Sequence, residues 1–133
     1  MTLAPQHILK LGAVGEILVG ILATVLPGPV MSFLLAAPMI GDELIVTRIA
    51  GIAIFALGAT WWKTSSHIDP GRLRDTGAGF LVYNAGIGVV FLVHAWPGEG
   101  WLWVPLGVAV AHLAAGLAYA IAAAKFKAAR GAG

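Results

Sequence analysis

Residues 11–26, LGAVGEILVGILATVL, form an apolar run with one carboxylate, Glu16, near its middle. Extended to Ile8–Leu26, the run is long enough to cross a bilayer, which takes about 20 residues of helix. Eleven Ile, Leu and Val residues in it contribute roughly −0.3 to −0.6 kcal/mol each on an insertion scale. Together they outweigh one central charge at roughly +3 kcal/mol. The run is too long for a signal-peptide core, carries a charge, and has no small-residue cleavage site close behind it. It therefore reads as a retained first span.

The rest of the chain repeats the pattern. Of 133 residues, 59% are hydrophobic and 11% charged, with a mean hydropathy of +0.91. Soluble domains carry roughly 25% charged residues, so the expected solvent is lipid and the length suits one domain. Further spans are expected at 44–62, 77–95 and 102–124. The expected class is all-α: an integral-membrane four-helix bundle formed by residues 1–133. Val30–Pro38 is apolar but too short to span; it either lies over the bundle or forms a hydrophobic loop. Gly41-Asp42-Glu43 supplies acidic residues to the start of the second span. That span ends in Trp61-Trp62-Lys63, read as a lipid–water boundary anchor. Asp69-Pro70 reads as an N-cap and N1 pair opening a single helical turn, with Asp75 or Thr76 capping the third span. His67 reads as an ordinary exposed residue. A turn, Trp96–Trp101, joins the last two spans.

Seven of the eight basic residues, Lys10, Lys63, Arg72, Arg74, Lys125, Lys127 and Arg130, fall with the termini and the middle loop; only Arg48 falls on the other side. This bias predicts cytoplasmic N- and C-termini. The net charge of +2 is a topology signal, and no nucleic-acid partner is expected. The absence of cysteine excludes disulfides, thiolate metal sites and Cys nucleophiles.

Rise per residue places Glu16, Asn84 and His112 each about 15 Å below the outer boundary, with Arg48 about 6 Å down. One strong polar group per span, flanked by glycines at helical spacing, is expected to face the bundle interior. Glu16, Arg48, Asn84 and His112, with Tyr83 and Tyr119 beside them, are the candidate ligand-binding or proton site. The same groups also make sense as structural glue, a Glu16–Arg48 pair fixing register with Asn84 and His112 hydrogen-bonded between helices. No catalytic residue is assigned. His94 and His112 stand roughly 13 Å apart in depth, which excludes a shared haem. Zinc would want three good ligands where Glu16 and His112 give two. No cofactor or metal is expected beyond a bound lipid or quinone. Expected partners are the bilayer, a hydrophobic small molecule, and another copy of the chain or a larger membrane complex.

The glycine-rich first span, RIAGIAIFALGATWW opened by Arg48, the DPGRLRD turn and LVYNAGIG in the third span resemble the small four-helix bacterial membrane proteins grouped as DoxX-like. The resemblance covers most of the chain. It implies a bacterial inner-membrane bundle, an accessory to a redox or export system, and no residue-level chemistry. Glu16 in the first span and GLAYAI in the last are also similar to small multidrug-resistance transporters, which use a membrane glutamate for proton–drug exchange. Those work as antiparallel dimers with weak charge bias, and Arg48 beside Glu16 would compete with a cationic substrate. Three functions are therefore carried forward. The first is binding of a quinone, lipid or isoprenoid in a pocket lined by the polar groups, and the second is proton-coupled transport. The third is a membrane isomerase or cyclase with Glu16 as acid and His112 as base.

Overall fold

The computed structural model describes residues 4–35, 38–66, 70–95 and 103–131. Among them the protein is all-α, with helices α1 (Pro5–Val25), α2 (Pro27–Leu35), α3 (Glu43–Ser65), α4 (Pro70–Ala95) and α5 (Trp103–Gly131). Four of these are long and apolar enough to cross a membrane, which makes this a membrane protein. His67, the Asp69 cap and the 96–102 turn lie outside the described residues.

Two helix starts are earlier than expected, both for the same reason. Proline at N1 needs no hydrogen-bond donor and brings a helical φ, so α1 begins at Pro5 and α4 at Pro70. In α4 the isolated turn expected after Pro70 is continuous with the span, and Asp75 and Thr76 are interior residues rather than caps. Leu73, 5% exposed, is packed in the core cluster with Tyr119, and this packing holds the extra turns. Pro27 likewise opens a helix: 27–35 is α2, packed against α1, α3 and α5. Ser65 ends α3 one turn beyond Trp62, and α5 continues past Ala124 to Gly131.

The long helices are closely packed as two pairs, α1 with α3 and α4 with α5. In the first pair the backbones nearly touch. A Cβ on Gly51 would fall 2.6 Å from Thr24 Oγ1 and 2.8 Å from Gly20 O; one on Gly58 would fall 2.9 Å from Ile17 N. Small residues at these positions allow the dispersion contact that drives helix association where lipid offers no hydrophobic gain. In the second pair Leu113 fills the space over Gly88, and Tyr119 the space over Gly77.

The pairs meet through aromatic side chains toward the end where α1 and α4 begin. Trp61 and Phe80 are buried with ring centroids 4.7 Å apart, Trp61 and Tyr83 lie 5.3 Å apart, and Phe80 and Tyr119 also 5.3 Å. Trp61 is thus a core residue, 1% exposed, and not the boundary anchor that the Trp-Trp-Lys ending suggested. Trp62 beside it is exposed, with Lys10 Nζ 4.6 Å from its ring centroid, a cation–π contact at the basic end of α1 and α3.

Candidate functional site

The three midplane candidates come together, with Tyr83 as the link. Glu16 is buried on α1 and accepts a 2.7 Å hydrogen bond from Tyr83 Oη on α4. The Tyr83 ring meets the His112 ring of α5 edge-on, centroids 5.8 Å apart. His112 Nδ1 lies 3.0 Å from Asn84 Oδ1. Asn84 Nδ2 donates to Phe80 O at 2.9 Å, so its Oδ1 is the acceptor and His112 Nδ1 carries the proton. Gly116, one turn past His112, faces Asn84: a Cβ there would sit 3.5 Å from Asn84 Cβ, an ordinary contact. The result is a polar chain, Glu16–Tyr83–His112–Asn84, at the centre of an apolar interior.

The Glu16–Tyr83 bond joins the α1/α3 pair to the α4/α5 pair. A second tie, Thr76 Oγ1 to Thr64 Oγ1 at 3.3 Å, lies at the basic end. A buried carboxylate needs partners in lipid, and here a phenol on the opposing pair supplies one.

Arg48 does not join this chain, which corrects the expected Glu16–Arg48 pair. Its Nη1 donates to Thr24 O at 3.0 Å, and the side chain is exposed. Thr24 is in the last turn of α1, where carbonyls lack intrahelical donors. A guanidinium there satisfies one of them and faces the negative end of the helix dipole. That partner is nearer Arg48 in depth than the midplane carboxylate.

Tyr119 does not join it either. It is 3% exposed, and its hydroxyl donates to Leu73 O at 2.8 Å, which ties α5 to the first turns of α4. His94, at the opposite end, has its Nε2 3.0 Å from Leu35 O and so tethers α2. Among the described residues no three His, Cys, Asp or Glu side chains gather as a metal site would require.

A cleft of about 640 Å³ runs between α4 and α5 at the basic end, closed at one side by Pro5 of α1. Gly77, Ala78, Leu81, Tyr119 and Ala123 form its apolar walls, and Arg74 and Lys127 belong to its lining. Ligand sites commonly measure about 300–1,000 Å³ with mostly apolar walls and a few polar groups, and the cleft fits that description. Sequence reasoning missed it because its wall residues are alanines, glycines and leucines with no signature. The one available signal was the pairing of small residues on 77–81 with small residues on 119–124. No protein-family model, curated protein or solved structure matches the chain.

Proposed function

We propose that this protein is a small multi-pass membrane protein that binds a hydrophobic ligand with one polar end, a lipid, quinone or isoprenoid, in the cleft between α4 and α5. The observation that carries the reading is the cleft itself: about 640 Å³, apolar-walled, with its cations to one side. Expected from the sequence around Glu16, the ligand moves about two turns toward the basic end, next to Tyr119. The Glu16–Tyr83–His112–Asn84 chain then holds the two helix pairs in the arrangement that keeps the cleft open.

The residue bias of seven to one supports a four-helix bundle with both termini cytoplasmic. The DoxX-like resemblance supports a bacterial inner membrane and an accessory role to a redox or export system. Native mass spectrometry of gently extracted protein tests the binding. The wild type is expected to carry a co-purifying amphiphile, and Ala78→Phe, which fills the cleft from an exposed wall position, is expected to lose it. Wild type and variant both free of ligand would reject the reading.

One observation favours a second reading. With Arg48 engaged by Thr24 O, its cation is held away from Glu16, and proton-coupled transport around Glu16 gains support. It requires antiparallel copies. Reporter fusions to the C-terminus are expected to show one cytoplasmic orientation; reporters active on both sides would overturn that expectation and favour the transporter.

A further inference from the structure

We infer that the occupant of the α4/α5 cleft is an anionic phospholipid, its acyl chain along the cleft and its phosphate between Arg74 and Lys127. This rests on the ligand-binding reading above and names the head group. Three observations narrow it.

First, the interior of the cleft offers no donor to a quinone carbonyl. The hydroxyl at its wall, Tyr119 Oη, already gives its proton to Leu73 O. Recognition of a polar end must therefore occur at the mouth. Second, the lining includes Arg74 from α4 and Lys127 from α5, and no carboxylate is among its described lining residues. The Arg74 Nε–Asp75 Oδ1 contact of 3.1 Å is made between side chains 83% and 73% exposed. Such a pair is weak in solvent, and the two terminal nitrogens of the guanidinium have no other partner among the described residues. They suit bidentate contact with a phosphate. Third, the charge around the mouth is lopsided. Residues 69–76 and 125–128 carry Arg72, Arg74, Lys125 and Lys127 against Asp69 and Asp75. This end of the protein is the one that the charge bias sets toward the cytoplasmic leaflet, where anionic lipids are enriched. A zwitterionic or neutral head group would not answer that field.

The test uses full-length protein in mixed micelles of equimolar dioleoyl phosphatidylglycerol and dioleoyl phosphatidylcholine, with bound lipid read by native mass spectrometry. The wild type is expected to prefer phosphatidylglycerol about thirtyfold, the scale set by two basic groups near an anionic surface. The double variant Arg74→Gln, Lys127→Gln is expected to retain lipid with the preference near one. Ala78→Phe and Ala124→Leu, each at an exposed wall position, are expected to lose both lipids, and melting curves report whether each variant folds. Equal retention of the two lipids by the wild type would overturn the head-group inference and leave the cleft as a lipid site. Unchanged lipid in both folded cleft-filling variants would overturn the cleft reading itself. Millimolar inorganic phosphate is expected to leave the bound phosphatidylglycerol in place. Displacement by phosphate would mean that the mouth takes a free anion, and would overturn the lipid.

Discussion

Gly51→Leu is expected to destabilise the protein by about 3 kcal/mol, at the upper end of what overpacking costs. A Cβ at this position would press on Thr24 Oγ1, Gly20 O and Thr24 N, all within 2.8 Å. Two of those atoms are backbone and cannot rotate away. The α1/α3 pair would have to separate along its length, and the contacts it loses would be replaced by lipid tails of equal polarity, so only packing is forfeited. Gly15→Leu on α1, the partner helix of the pair, is the control. Nothing lies within 4 Å of a Cβ there, and the substitution is expected to be neutral within about 0.5 kcal/mol. Equilibrium unfolding in mixed detergent measures both. If Gly51→Leu is no worse than Gly15→Leu, α1 and α3 do not pack through these glycines.

The second large effect is at Glu16. Tyr83→Phe removes the hydroxyl that donates to the buried carboxyl and leaves that group without its donor, at a cost of about 1–3 kcal/mol. Glu16→Leu strands the phenol in the same way. Removing both leaves two apolar side chains in an apolar interior, so the double variant is expected to be less damaged than the sum of the singles, by about 1–2 kcal/mol. The companion cycle with Arg48→Leu is expected to be additive within about 0.5 kcal/mol, because Arg48 is bonded to Thr24 O at the other level of the helix. Strong coupling of Glu16 with Arg48, or additivity with Tyr83, would show that the carboxylate has a different partner in the membrane.

These two experiments probe the part of the protein least legible from sequence. Depth along a helix is one coordinate, fixed by 1.5 Å per residue, and it put Glu16, Asn84 and His112 at one level with Arg48 nearer the outer boundary. The direction a side chain takes around the helix is a second coordinate, and it depends on which helices pair. Arg48 was assigned to Glu16 because its long side chain spans the difference in depth. Pairing of α1 with α3 put a carbonyl of the last α1 turn within reach first. Tyr119 shows the same effect: two turns of helix separate it from His112, and the packing of α5 on α4 hands it to Leu73.

What the sequence determined by itself rests on composition and local period: four helices able to span a membrane, the sidedness of charge, and one polar group per span. These follow from transfer of side chains into lipid and from the peptide geometry of single helices, and neither needs a neighbour. Tertiary structure decided which polar groups touch, the burial of Trp61 beside an exposed Trp62, the joining of residues 70–76 to α4, and the cleft between α4 and α5. Each of these depends on how two helix surfaces fit. In lipid, where apolar residues gain nothing by leaving the solvent, that fit is set by small residues such as Gly51, Gly58 and Gly77, which look alike in sequence and differ only in what stands opposite them.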